Sequence, residues 1–365
     1  MRLSVPTIPI RAGASNVTVP QIVVEEAAAK LTRWLRRKDS RGRQGNVLVL
    51  TGAGISVDSG IRAYRGTGGS YTIRKTYRPI FYGEFIASAT ARKRYWARSY
   101  LGYPPVQHAE PNRSHFALAA LQETGWTHSL ITQNVDRLHH KASPDFARAE
   151  REILELHGSL KQIVCFSCQA AFPRDPFQVH LSELNPGWAE YADHIARKAL
   201  DPKLNPDGDV DLEGKSYDDF KVPRCYECGE DSIRPNVVMF GQNLSAEDKQ
   251  RSLEMVDQAS AMLVVGSSLA TYSAFRLLKG AAEAGQSLCL LSVGDSRGEE
   301  IVPRGAGSSE DDPRILRLDI PSTEVLTRAA AELAQSPLKA VDSALVERLL
   351  VSGVTKAVDE GEPAS

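Results

Sequence analysis

An α/β fold built on a parallel sheet is predicted for this chain by three observations. Short apolar or β-branched runs alternate with helical patterns, each run ends in small or polar residues, and one of them opens directly into the glycine-rich stretch Thr51-Gly-Ala-Gly-Ile-Ser56. Strands alternating with helices form a parallel sheet that takes ligands at its carboxyl ends. A further pattern interrupts the alternation. From about Cys165 to Cys228 the chain is rich in prolines, glycines and acids, with a close cysteine pair at each border. That stretch reads as a smaller inserted domain, placed at about residues 160–233.

In chain order, residues 1–24 contain no acid, two arginines (Arg2, Arg11) and several hydroxyl side chains (Ser4, Thr7, Ser15, Thr18). This fits a mitochondrial-type leader, while Pro6, Pro9 and Pro20 equally fit a disordered one. Residues 25–38 are predicted as an amphipathic helix, acidic at its start and basic at its end. Strands are predicted at 46–50, Ser129–Thr132, Ala261–Val265 and 287–293, inside a main domain spanning 25–335. Residues 295–313 are expected to form a flexible surface loop, and residues 336–365 a C-terminal helix and a frayed tail.

The 365 residues are 42% hydrophobic, which suits one large domain or two of unequal size. Forty-four Lys+Arg against 45 Asp+Glu give a net charge of −1, so a purely electrostatic nucleic-acid binder is disfavoured. No apolar run approaches the ~20 residues of a membrane helix. A soluble chain with neither a direct nucleic-acid partner nor a membrane segment is expected.

Five cysteines are too few for a disulfide scaffold, and four fall in the C-x-x-C pairs Cys165/Cys168 and Cys225/Cys228. Such pairs can place four thiolates on one ion in a reducing compartment. The gap between them is longer than the about 15–20 residues of a usual zinc ribbon, so spacing alone leaves a redox or chance pairing open. Cys289 lies in an apolar strand and reads as a small core residue.

Gly52 and Gly54 sit between a buried strand and a helix start, where the backbone could approach a pyrophosphate. A tight turn needs glycine in any case, and the G-x-G-x-x-G spacing fails because the next glycine is Gly60. On spacing alone both readings stay open.

Taken together, Gly52-Ala-Gly-Ile-Ser56, Ser59-Gly-Ile61 and Tyr64-Arg65 resemble the opening motif of the sirtuins, the NAD-dependent protein deacylases. Thr132-Gln-Asn-Val-Asp136 is similar to their second motif, Leu156-His-Gly158 to the third and Gly266-Ser-Ser268 to the fourth, and the cysteine pairs fall where the family carries zinc. The order holds from about residue 45 to 295. Arg78-Pro-Ile80, Arg94-Tyr-Trp-Ala-Arg98, Leu184-Asn-Pro186, Pro206-Asp-Gly-Asp-Val210 and Val222-Pro223 look like the class II branch and, within it, a mitochondrial member.

The resemblance implies a Rossmann-like parallel sheet with helices on both faces and a smaller inserted zinc-binding domain. It implies NAD as co-substrate, one structural Zn2+ on the four cysteines, acyl-lysine proteins or peptides as substrates, and the mitochondrial matrix, with cytoplasm or nucleus as alternatives; a monomer is expected, though no motif fixes the oligomeric state. It assigns His157 as general base, with Asn134 and Asp136 on the ribose and nicotinamide and Gln133 on ribose hydroxyls. Gly52, Ala53, Gly54, Ile55, Ser56, Gly60, Ile61, Tyr64 and Arg65 would form the cofactor loop. Gly266, Ser267 and Ser268 would hold the adenosine side, and Ser292, Val293 and Gly294 the adenine-ribose turn, Ser292 standing where Asn is usual. Val238, Phe240 and Gly241 would pair with the substrate peptide. Tyr95 and Arg98 preserve a Tyr-x-x-Arg pair that could grip an acyl carboxylate.

Plainer readings accompany these. Asn134 and Asp136 could simply cap a helix after their strand, and Arg98 could face water on a basic helix. The other histidines read as structural. Arg62-Ala63 stands where the family has Pro-Asp, which loosens the cofactor loop and removes a carboxylate near the nicotinamide, and Gln242 stands where Glu is common. Besides deacylation, mono-ADP-ribosyl transfer and a non-catalytic NAD-sensing scaffold remain open. A hydride-transfer dehydrogenase is disfavoured by the failed fingerprint.

Overall fold

The computed structural model describes residues 20–355, apart from 40, 67–68, 74–77, 198–209, 211, 213–215 and 308–311. The strands are β1 (Val47–Thr51), β2 (Ser129–Thr132), β3 (Ile153–Glu155), β4 (Gly158–Cys165), β5 (Ala171–Pro173), β6 (Ile233–Val237), β7 (Ala261–Val265), β8 (Ser287–Leu291) and β9 (Ile315–Leu318).

Every residue of β1 and β7 is buried, as continuous apolar runs require when both faces of a sheet are covered. Alternate residues of β1 serve opposite faces: Val47 and Val49 pack with Leu31, Leu263 and Leu326, whereas Leu48 and Leu50 pack with Val264, Leu277 and Leu278. These strands lie at the centre of a six-stranded sheet in the order β3-β2-β1-β7-β8-β9, parallel throughout. The chain winds outward through β2 and β3, then returns beside β1 and winds the other way. The crevice at the carboxyl ends of β1 and β7 is therefore the topological switch point, where such sheets bind ligands.

The smaller unit is an antiparallel sheet, β5-β4-β6, with its own aromatic core of Phe85, Tyr95, Trp96, Phe177, Trp188 and Phe220. The insertion does not build it alone. The helix Ala89–Gln107, which precedes the insertion by more than fifty residues, supplies Tyr95 and Trp96, and the Trp96 indole donates to the Ile233 carbonyl at 3.1 Å.

Several expectations are corrected. The first helix is Gln21–Leu35, so residues 21–24, assigned to the leader, are its first turn. Residues 1–19 lie outside the described residues, as do 206–209 of the Pro206–Val210 motif and the tail 356–365. The insertion holds two regular helices, Arg174–Leu184 and Pro186–Arg197, the second opening on a proline, whose missing N–H costs nothing there. Residues 295–307 are not loose. Ser296 and Glu299 form a capping box, Val302 is fully buried, and Arg304 reaches Asp295, Glu299 and Asp319 at 2.9, 3.1 and 2.7 Å. The C-terminal helix is Ser343–Val351, capped by Asp342 and packed on the helix Arg113–Glu123. No described helix is long and apolar enough to cross a membrane.

Candidate active site

At the switch point the loop after β1 and the loop after β7 interlock. Gly54 N–H donates to the Gly266 carbonyl at 2.9 Å and Gly52 N–H to the Val265 carbonyl at 3.1 Å. A Cβ on Gly54 would lie 2.7 Å from the Gly266 oxygen, and one on Gly52 would lie 2.8 Å from Ser267 Cβ. Gly266 has φ +58°, and a Cβ there would come within 2.5 Å of Ile55 N. The loops' own packing thus demands these glycines, and it leaves a floor made of backbone.

Around that floor the sequence-predicted residues form one hydrogen-bond network. The Gln133 amide donates to the Thr51 carbonyl at 3.0 Å and to Ser267 Oγ at 2.7 Å. Asn134 Nδ2 donates to the Gly52 carbonyl and to Ser56 Oγ, at 3.2 and 3.1 Å. Ser56 Oγ donates in turn to Asp136 Oδ2 at 2.7 Å. Asp136 also accepts from Leu138 N–H at 3.0 Å, an Asx-type contact from the residue before the N-cap; the N-cap of helix Leu138–Ala142 is Arg137, whose side chain makes no capping bond, and the Asn134 amide goes to the network instead. Burial raises the Asp136 pKa, opposed by the Leu138 and Ser56 hydrogen bonds.

His157 lies between β3 and β4 at the rim of this network. Its Nδ1 is 3.1 Å from the Gln133 carbonyl and its Nε2 is 2.8 Å from Ser273 Oγ. A carbonyl can only accept, so Nδ1 carries the proton, and the Ser273 hydroxyl donates to the Nε2 lone pair. Burial pushes the His157 pKa down to about 4, below the near-neutral value that the chemistry suggested; the Gln133 carbonyl opposes this. The imidazole is therefore a free base at neutral pH.

The plainer reading of three other histidines holds. His139 Nε2 is 2.9 Å from Thr51 Oγ1 and its ring lies 4.8 Å from that of His115, whose Nδ1 accepts from Asn112 N–H. Burial lowers the pKa of His139 well below normal, that of His115 to about 3 and that of His140 to about 4. Above pH 6.5 these groups and His157 are neutral folded or unfolded, and contribute nothing to pH dependence. Below 6.5 the unfolded chain binds protons that the folded chain refuses. Each site then costs at most about 1.4 kcal/mol per pH unit, until the folded pKa is reached. The thermal midpoint is expected to fall steadily from pH 6.5 toward 4 in a calorimetric series. A flat midpoint across that window contradicts the burial of these rings.

The substrate-strand candidates follow β6. Val238 N–H donates to the His157 carbonyl at 2.8 Å, so base and strand share a backbone contact. Phe240 pairs with Phe81 and its carbonyl accepts from Tyr82 N–H at 2.9 Å, while Gly241 turns the chain at φ +80°. Gln242 closes that turn by accepting from Met239 N–H at 3.0 Å. Tyr64 meets Phe240 edge-on at 6.3 Å and stacks on Tyr71 at 5.5 Å, with Arg65 over the Tyr71 ring. The cofactor loop is not slack despite its missing proline: Ile61 N–H bonds the Ser56 carbonyl, Ile61 is 1% exposed, and Arg62 is buried. Ser268 and Ser267 hold the 296–297 turn through their carbonyls. Ser292 and Gly294 lie just past β8, with Gly294 N–H on Asp319 and Val293 exposed beside them.

Tyr95 and Arg98 lie apart from this network, in the smaller unit. Tyr95 is in the aromatic core, 5.4 Å from the Phe85 ring, and Arg98 Nε donates to the Val210 carbonyl at 2.8 Å rather than facing water. Sequence reasoning passed over Ser273 and Asn112. Asn112 is fully buried and ties the helix Arg113–Glu123 to the Ile55 carbonyl at 2.7 Å and Ser59 Oγ at 3.1 Å. Its position just before that helix was the only available signal.

The four cysteine sulfurs lie within 4.8 Å of one another. Cys165–Cys228 and Cys168–Cys225 are each 3.7 Å apart, close to the about 3.8 Å edge of a tetrahedron with 2.3 Å Zn–S bonds. The knuckles are built alike: Cys165 N–H bonds the Ala170 carbonyl and Gln169 N–H the Cys165 carbonyl, just as Cys225 bonds Glu230 and Gly229 bonds Cys225. Gln169 and Gly229 share a left-handed backbone at φ 63° and 72°. Two matching knuckles with sulfurs at tetrahedral spacing fit one structural zinc.

A switch-point glycine floor, a neutral histidine at its rim and a four-thiolate domain beside it define a dinucleotide-dependent group-transfer enzyme with a structural metal. Residues 52–273 match the Sir2 family, and the chain belongs to that family. It is 39% identical over 313 residues to "NAD-dependent protein deacylase SIR4" of Batrachochytrium dendrobatidis, covering 85% of this chain and 95% of the relative. It is 40% identical over 268 residues to "NAD-dependent protein deacylase SRT2" of Arabidopsis thaliana, covering 72% and 69%. The SIR4 naming fits the class II reading. Among solved structures, "Sir2-p53 peptide-NAD+" superposes with a TM-score of 0.54 at 26% identity, covering 80% of this chain and 94% of that one.

Proposed function

We infer that this chain is an NAD-dependent protein-lysine deacylase whose products are nicotinamide, free lysine and an O-acyl-ADP-ribose. The observation that carries the reading is His157, held neutral with its Nε2 lone pair toward Ser273 and its carbonyl on the strand that would seat the peptide. NAD, when bound, supplies an electrophilic ribose carbon with nicotinamide as leaving group. His157 Nε2 takes the proton of a ribose hydroxyl once that hydroxyl displaces Ser273. The Gln133 carbonyl holds the opposite N–H and stabilises the imidazolium that forms. Asn134 and Asp136, braced by Ser56, orient the ribose and the carboxamide, while the glycine floor and Ser267 take the remainder. The extended segment 237–241 seats the acyl-lysine peptide by strand pairing.

The test is incubation with NAD and acyl-lysine peptides, followed by mass spectrometry of the peptide and assay of nicotinamide. Free lysine with nicotinamide supports deacylation. An added ADP-ribosyl mass on protein marks transfer instead, and no nicotinamide marks a scaffold.

We propose that acyl groups ending in a carboxylate are accepted as well as acetyl, on the strength of the Tyr95 and Arg98 pair. Arg98 shares its guanidinium with the Val210 carbonyl, so its expected contribution is at the lower end for a charge-assisted contact. Arg98→Met should lower kcat/KM on succinyl-lysine peptide about tenfold, against a smaller loss on acetyl-lysine. Equal losses on both peptides would remove Arg98 from acyl recognition.

The composition of residues 1–24 supports a further proposal, residence in the mitochondrial matrix. Imaging of the full chain fused at its C-terminus, against a fusion lacking residues 1–19, tests it, and unchanged localisation overturns it. A monomer is proposed on the same footing, to be read by sedimentation.

A further inference from the structure

Arg174 opens the helix Arg174–Leu184 and is 1% exposed. Its guanidinium lies over the rings of Tyr103, Trp96 and Phe177, at 4.3, 5.3 and 5.5 Å. Among the described residues neither Nη1 nor Nη2 has a hydrogen-bond partner, and Ser99 Oγ, equally buried one turn before Tyr103, has none either. The neighbouring carboxylate is already engaged: Asp175 accepts the Tyr103 hydroxyl at 2.5 Å. Burial lowers the Arg174 pKa to about 10, which leaves it charged at neutral pH. The groups acting on that charge are Tyr103, then Tyr95, then Asp175.

A desolvated cation with unused donors is among the least favourable contents of a core, and ring faces offset only part of the cost. A methionine of similar length would fill the space without it. The two Nη groups form the planar fork that matches a carboxylate. Tyr95 acts electrostatically on the Arg174 charge and belongs to the acyl pair, whose other member, Arg98, is committed to Val210.

We propose that Arg174 is the carboxylate receptor at the deep end of the acyl site, its two Nη groups binding the distal carboxylate of an acyl-lysine of glutaryl length or longer that runs past Tyr95. The proposal rests on the deacylase reading. It adds a third recognition residue, from the inserted domain, to a pair drawn from the helix Ala89–Gln107.

The test uses the full, zinc-loaded chain with glutaryl-lysine and acetyl-lysine peptides of one sequence. For Arg174→Met the ratio of the two kcat/KM values should fall about ten- to a hundredfold, chiefly through KM. The melting temperature without ligand should stay level or rise, because the exchange removes a buried charge. Arg174→Lys, which keeps the charge and loses the fork, should fall between. Calorimetric binding of the glutaryl peptide should weaken in parallel. A wild type without glutaryl preference, an unchanged ratio, or equal losses on both peptides with a lower melting temperature would each overturn the proposal, the last marking Arg174 as a structural cation satisfied by buried water. Absence of nicotinamide release from wild type with either peptide is a failure of the deacylase reading instead, and calorimetry then decides the receptor alone.

Discussion

Replacing His157 with alanine is expected to abolish deacylation while NAD affinity stays within a few-fold. The imidazole is a neutral base at the rim of the glycine floor, and loss of a positioned general base costs about 10²–10⁴ in rate. The floor itself is built of Gly52, Gly54 and Gly266 backbone with Gln133, Asn134 and Ser267, none of which needs the ring to hold its place, since Gln133 and Asn134 are anchored on Thr51 and Gly52. Nicotinamide release and calorimetric titration with NAD, run on one preparation, separate the two effects. Turnover within tenfold of wild type would end the assignment. Ser273→Ala gives a finer reading. Its hydroxyl donates to the Nε2 lone pair and so disfavours the protonated ring, and its removal should raise the His157 pKa and move the acid limb of the pH profile to higher pH.

Cys225→Ser is expected to remove zinc, lower solubility and reduce activity together. All four cysteines would be ligands, which leaves no open position for water and assigns the metal to folding alone. Binding energy of that kind is folding energy, about 10 kcal/mol or more, and at roughly 1–2 °C per kcal/mol for a chain of this length the melting temperature should drop by on the order of ten degrees or more. Activity should follow because Cys165 ends β4 and His157 immediately precedes it. Eight residues of strand, about 25 Å, connect metal to base. A zinc-free Cys225→Ser protein with the wild-type melting curve and rate would refute the structural role.

The central strands were legible because they are buried on both faces and read as unbroken apolar runs, so β2 and β7 fall where the sequence places them and β1 within one residue. β3 and β9 were not, since three or four residues are too few to show any period. The insertion's helices were hidden by their prolines, which break a helix interior but suit its first turn, as Pro186 does. In the site, Gln133, Asn134, Asp136 and His157 were visible as ordered motifs. Ser273 was not: a serine at the start of a helix looks like a cap, and only the fold brings it to a histidine 116 residues away. Arg174 was hidden for the same reason, because burial of a charge is a property of packing and leaves no local pattern.

The interlocked glycines carry a lesson about ancestry and loss. Each of Gly52, Gly54 and Gly266 is enforced by backbone or Ser267 atoms within 3 Å of where its Cβ would stand, so selection for folding alone would retain all three. A descendant that had gone silent would still display the glycine stretch and would still look like a nucleotide enzyme. The His157–Ser273 contact has no comparable hold on the fold, and it is where decay would first be written. For telling a working copy from a relic, the most conspicuous signature on this scaffold is the least informative, and one histidine–serine pair outweighs it.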